Sequence, residues 1–273
     1  MSKLFKILHL LSFDVVLGAI ACNIMFWKLN KTPPEYSVPV VVVLGFSVWI
    51  IYVLDRLLDS QKINIPPTER HIFHQQNSKI LWYFIGLLTL ICAILVFYLP
   101  LNVIIFGIII SSLTGIYLYI ISKISLENDF QHYKEFITSF VYFSGVFGTT
   151  VLHNLTFVSG LIGFVFLLIV FQNLLLFSLL EFKKEVNFHN LVAYFGVKKS
   201  NLLIGIITII SSILGLFAIH YSVSNYEFKV VLIEILMSVI LLIINQFDYF
   251  FMINDRYRWV GDGIFLLPLL IIS

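Results

Sequence analysis

Long apolar runs alternate with polar connectors along the whole of this 273-residue chain. The runs cover 4–27, 36–58, 80–99, 101–122, 135–152, 156–180, 201–221, 229–252 and 259–272. Each is about 15–25 residues, the length at which an α-helix crosses a hydrocarbon core. Stretches such as VVVVLG and IIFGIII lack the two-residue alternation of a membrane barrel, so helices are predicted throughout. The last run is short and depends on packing against its neighbours. Nine membrane helices is the predicted count, and eight is the alternative. No low-complexity tract or soluble segment interrupts the pattern, so residues 1–273 are expected to form a single integral membrane domain.

Basic residues give this pattern a direction. With the N-terminus inside, the inner segments hold Lys3, Lys6, Arg56, Lys62, Arg70, Lys79, Lys123, Lys134, Lys183, Lys184, Lys198, Lys199, Arg256 and Arg258. The outer segments hold only Lys28, Lys31 and Lys229. A wrong helix count would destroy that bias, so the positive-inside rule supports nine spans and a cytoplasmic N-terminus. A bacterial inner membrane is the expected location. Composition agrees: 60% of residues are hydrophobic and 12% charged, against about 25% charged in soluble domains. A net charge of +2 with scattered basic residues argues against nucleic-acid binding. Cys22 and Cys92 lie inside apolar runs and read as small core residues. LGAIAC, ending at Cys22, has the look of a lipoprotein cleavage box. Asp14 breaks the would-be signal core, however, and the run continues through Trp27, so a retained first helix is expected.

Most outer links are tight, such as Tyr98-Leu99-Pro100-Leu101, whereas the inner links after the second and sixth runs are long and polar. Both begin with paired acids. Asp55-Arg56-Leu57-Leu58-Asp59 closes the second run, and Glu181-Phe182-Lys183-Lys184-Glu185 closes the sixth. An Asp at a bilayer centre costs about 2.5–3.5 kcal/mol, so acids collect at helix ends or in wet interiors. A spacing of four puts both carboxylates of a pair on one helix face, where they can share a divalent cation. Two such pairs facing each other would make an acidic mouth suited to Mg²⁺ and a diphosphate.

With these motifs the chain resembles the UbiA superfamily of intramembrane prenyltransferases. That family has nine helices, with aspartate-rich motifs after helices two and six. Asp55 and Asp59 match acids of its first motif, and Arg56 fits its frequent Asp-Arg dipeptide. The segment FSLLEFKKEVNFHNLVAYFGVKKSNLL follows the second: an acidic pair, a polar stretch, a short amphipathic segment, Gly and a basic cluster. The family Asn before the first Asp falls on Ile51, its following Asp falls on Tyr52, and the second pair is Glu. The resemblance implies an all-α, nine-helix bundle with a central cavity opening to the cytoplasmic side. It also implies Mg²⁺ held by Asp55, Asp59, Glu181 and Glu185 against an isoprenoid diphosphate, and an acceptor of aromatic type. A UbiA-type terpene cyclase is the alternative within that fold, and a non-catalytic membrane protein or carrier is the alternative outside it. Oligomeric state is not readable.

Other polar residues extend this picture. Arg56, Arg70, Lys183 and Lys184 are candidates for the diphosphate, although the two lysines also fit as positive-inside anchors. Tyr52, Asn173, Asp248 and Asp262 are candidate polar groups of the cavity. For Asp14 and Asn173 the plainer reading is interhelical hydrogen bonding, and Asp248 and Asp262 have the option of pairing with Arg256 and Arg258. His71 and His74 are spaced to share a helix face, but no other residue completes a tetrahedral zinc set, so an interfacial helix with Arg70 reaching a phosphate is preferred. Tyr52, Phe177 and Tyr142 are candidates to stabilise an allylic cation through their ring faces.

Overall fold

A computed structural model describes residues 3–29, 38–60, 69–124, 129–152, 155–184 and 190–272, and among them no strand occurs. The helices gather into two compact units, one from 1–20 and 35–126, the other from 21–34 and 127–273.

The first unit contains α1 (Lys3–Leu10), the start of α2 (Phe13–Trp27), α3 (Val38–Asp59), α4 (Glu69–Gln76), α5 (Ser78–Leu95) and α6 (Leu101–Lys123). The first apolar run is therefore two helices, not one. Ser12 has a φ of 57°, a left-handed conformation that a right-handed helix interior does not accommodate. The link between α5 and α6 follows from Pro100. The residue before a proline is pushed out of the α region, and Leu99 is extended (φ −94°, ψ 148°). Pro100 then leads directly into α6. α3 packs against α4, α5 and α6. Leu87, Leu90 and Ile94 on α5 and Ile105, Ile108, Ile109, Leu113 and Ile116 on α6 remain exposed. Such continuous apolar surface suits lipid rather than water.

The second unit contains the remainder of α2, then α7 (Lys134–Val151), α8 (Phe157–Lys184), α9 (Leu191–Phe195), α10 (Val197–Tyr221) and α11 (Asn225–Gln246). It closes with α12 (Asp248–Met252), α13 (Arg256–Gly263) and α14 (Leu269–Ile272). α8 is its central helix: 67% of its most apolar stretch is buried, against 11% in α5. α7, α9, α10, α11 and α13 all pack on it. At the α7–α8 contact, a Cβ on Gly163 would lie 2.4 Å from the Phe147 ring, so only glycine permits the approach. α10 turns Leu202, Ile206, Ile209, Ile213 and Leu216 outward and buries Ser200, Thr208, Ser211, Gly215 and Ala218. Small and polar residues on the packed face are the pattern of a helix whose other side meets lipid.

Five described helices are long and apolar enough to cross a membrane, and α11 with the segment after it makes a sixth if counted as one broken span. The chain is thus a multi-pass integral membrane protein. The predicted eighth run ends at Gln246, where the axis bends by 90°. The predicted ninth resolves into α13, a 3₁₀ turn and α14. Pro268 lies immediately before α14, where it has no N–H to continue the preceding helix.

Candidate functional site

α3 stays helical through Asp59, so Asp55 and Asp59 fall one turn apart on a common face of the first unit. Asp59 is buried, and Asp55 and Arg56 are half-buried between solvent and protein. Both carboxylates are engaged with neighbouring groups. The Nε of Arg56 is different: it is buried, with no acceptor among the described residues. A buried N–H without an acceptor costs free energy, so an anion that reached this Nε would gain a charge-assisted hydrogen bond. The helix is stopped by Ser60, whose N–H donates to the Arg56 carbonyl (2.9 Å) and whose Oγ donates to the Leu57 carbonyl (2.8 Å). Tyr52 is half-buried one turn earlier. Arg70 and His71 belong to α4, but their side chains, like the whole of Glu185, lie outside the described residues.

In the second unit, the end of α8 carries a set of ion pairs. Glu181 accepts from Arg258 of α13, Lys183 donates to Asp248 at 2.8 Å, and Lys184 pairs with Asp255. The sequence offered Arg256 and Arg258 as partners for Asp248, and its partner is Lys183 instead. Thus Lys183 and Lys184, read as diphosphate ligands, are each matched to an acid in this arrangement. Arg258 is 7% exposed, and its Nε donates to the Tyr257 hydroxyl at 3.1 Å. Its guanidinium lies 5.4 Å from the Tyr257 ring centroid and 5.9 Å from that of Phe177, near enough for cation–π attraction.

Backbone geometry explains how Arg258 gets there. Asn254 and Asp255 adopt φ of 53° and 55°, successive left-handed residues that turn the chain between α12 and α13. Asn and Asp tolerate this region better than other side chains. α13 then packs tightly on α8: a Cβ on Gly261 would lie 2.5 Å from the Phe177 ring and 2.9 Å from Asn173 Oδ1. Asn173 is buried, and its Oδ1 has no hydrogen-bond partner among the described residues. Asp262 on α13 is also buried. Gln172 carries the interhelical bonding, donating to Thr208 Oγ1 (2.9 Å) and accepting from Ser238 Oγ (2.7 Å).

Two acids that the motif reading passed over are buried here. Glu135 opens α7, and its Oε1 accepts from Ser178 Oγ (2.5 Å) and from the Leu191 N–H (3.3 Å). Asn190 reinforces the junction. Its amide donates to the Ser178 carbonyl at 2.9 Å, and its Oδ1 caps α9 through the N–H groups of Val192 and Ala193. These bonds tie α9 to α7 and α8. Glu234 lies inside α11 with 0% exposure. The available signal was the same for both: an acid within or at the edge of an apolar run.

The fold has a solved counterpart. A structure of a digeranylgeranylglyceryl phosphate synthase, described in membranes, superposes with a TM-score of 0.53 at 16% identity. The match covers 100% of this chain and 96% of that one. That synthase is a UbiA-superfamily prenyltransferase, so the resemblance read from the acidic motifs holds at the level of the fold. No protein-family model matches the chain, and no curated protein matches it.

Proposed function

We propose that the chain is a UbiA-like intramembrane prenyltransferase, which ionises an isoprenoid diphosphate and passes the prenyl group to an acceptor of aromatic type. The observation that carries this reading is the Asp55-Arg56-Asp59 turn with its orphaned Arg56 Nε, in a chain with the fold of a prenyl-transferring synthase. Asp55 and Asp59, with Glu181 and Glu185 as a second set, would hold Mg²⁺, which offsets the charge that builds on the diphosphate as the C–O bond breaks. Arg56 donates to a diphosphate oxygen, and Arg70, Lys183 and Lys184 supply further positive charge. For the second set to take part, Glu181 must exchange Arg258 for the incoming cation, and the two lysines must exchange Asp248 and Asp255. The bond's electron pair leaves with the diphosphate. The resulting allylic cation is faced by rings such as Tyr52, Tyr142 and Phe177. The acceptor's electron pair then forms the new bond, and a proton is lost. In this reading Tyr52, Asn173, Asp248 and Asp262 would supply polar groups toward the substrate, and the N-terminus would lie on the cytoplasmic side.

Ile51 stands where the family motif carries Asn, which favours a terpene cyclase as the second reading because a cyclase needs no acceptor site. The test is to incubate purified protein with prenyl diphosphates of several chain lengths, with and without Mg²⁺, and measure diphosphate release. Metal-dependent release that Asp55→Asn lowers by about 10²-fold or more is expected. Hydrocarbon or terpene alcohol formed without acceptor selects the cyclase. Release that ignores both metal and substitution overturns the enzymatic reading in favour of a non-catalytic protein.

A further inference from the structure

Among the described residues of the second unit, Glu234 is the most deeply buried acid, and neither of its carboxylate oxygens has a hydrogen-bond partner there. It lies nine residues into the 22-residue helix α11, away from both helix ends. An ionised carboxylate in such a place is costly unless it takes up a proton or finds a cation, and no partner for it stands among the described residues.

Helix register shows what else stands at that depth. α10 and α11 pack against each other, and a Cβ on Gly215 of α10 would meet Val231 and Ile235 of α11 at 3.1 and 3.0 Å. One to two turns along, Thr208 of α10 and Ser238 of α11 are joined through Gln172. Ser211 lies between Thr208 and Gly215, and Glu234 lies between Val231 and Ser238, so the antiparallel pairing brings these two to one level. Ser211 is 0% exposed, and its Oγ is a second buried oxygen without a partner among the described residues. From α2, Cys22 interacts electrostatically with Glu234. Next to it, Asn23 donates its amide to the Val146 carbonyl (2.7 Å) and Thr149 Oγ1 (3.0 Å), which leaves its buried Oδ1 unpartnered among the described residues.

We propose that Glu234 and Ser211, with Asn23 as a further oxygen donor, form a binding site for a small monovalent cation of the Na⁺ type within the second unit. Carboxylate, hydroxyl and amide oxygens are hard ligands. A single carboxylate is neutralised by one positive charge, whereas a divalent ion would leave a net charge buried. The site is independent of prenyl transfer: it draws on none of the residues assigned to the diphosphate, and its occupancy is read without substrate.

The experiment measures thermal unfolding of the purified full chain in detergent, titrated with NaCl, KCl or choline chloride at constant ionic strength. Na⁺ is expected to raise the midpoint saturably by about 5 °C, choline to leave it unchanged, and Glu234→Gln to abolish the response. Ser211→Ala, a small change that retains the acid, is expected to shift the Na⁺ titration to about tenfold higher concentration and serves if the Gln variant does not fold. Equal responses to all three chlorides, or a Na⁺ response retained in Glu234→Gln, would overturn the proposal. So would an infrared carbonyl band of a protonated acid that persists in saturating Na⁺ and disappears in Glu234→Gln.

Discussion

Removing Glu181 should destabilise the protein more than removing Arg258, because the two ends of their ion pair are buried unequally. The Arg258 side chain is 9% exposed and that of Glu181 is 24%. In Glu181→Gln the guanidinium stays in place without its nearest counter-charge and keeps only the weaker attraction of Asp262. Breaking a buried pair this way costs about 3–5 kcal/mol. Here the Tyr257 hydroxyl and the faces of Tyr257 and Phe177 remain, each aromatic contact being worth about 0.5–2 kcal/mol to a desolvated cation. The expected loss is therefore about 2–3 kcal/mol. In Arg258→Met the carboxylate that loses its ion pair, Glu181, already reaches solvent, Asp262 loses a weaker attraction and keeps another interaction, and methionine keeps much of the packing on Phe177. That loss should be about 1 kcal/mol, in the range of a solvent-accessible pair. The double variant should cost less than the sum of the two by about 1 kcal/mol. Denaturant unfolding followed by fluorescence, in detergent and without substrate or metal, separates these stability effects from any effect on catalysis. If Arg258→Met costs as much as Glu181→Gln, or if the two add within about 0.5 kcal/mol, the asymmetric-burial argument is wrong.

Two further substitutions probe the frame around the site. Gly163→Ala places a methyl 2.4 Å from the Phe147 ring, and forcing α7 from α8 should lower stability by about 1–3 kcal/mol, seen as a reduced unfolding midpoint. Ser224→Ala removes half of the capping box in which Ser224 Oγ accepts from the Glu227 N–H and Glu227 accepts from the Ser224 N–H. It should cost about 1 kcal/mol, and equal stability of variant and parent in chemical denaturation would show that the box does not hold α11.

The long spans were legible because lipid imposes them. α3, α5, α6, α8 and α10 begin and end within a few residues of the apolar runs, since any buried unpaired backbone group would be expensive there. The interruptions were not legible for the complementary reason. Hydropathy registers composition and is blind to direction: Asn245, Gln246 and Asp248 fall inside the eighth apolar run, which continues through Phe250 and Phe251, while the axis bends by 90° between Gln246 and Asp248. Nor does Ser12 carry the Gly or Pro signal that marks most breaks, so α1 and α2 looked like one helix.

The site was legible where it is local and hidden where it is not. The separation of Asp55 and Asp59 is a property of one helix and could be read directly from their spacing of four. Glu181 and Glu185 have the same spacing, and on that evidence the two pairs looked equivalent. The Glu181–Arg258 pair spans 77 residues and depends on two left-handed residues between α12 and α13, which no spacing rule anticipates. It gives Glu181 a buried cationic partner that the spacing does not reveal. A carboxylate neutralised by a buried guanidinium must surrender that partner before it can hold a cation, so the cost of its metal binding includes the cost of breaking the ion pair. At Arg56 the buried Nε has no partner among the described residues to surrender, so an anion bound there would add one. In the proposed reaction, then, Arg56 would take up an anion through a donor that has no acceptor among the described residues, whereas Glu181 would first have to release Arg258.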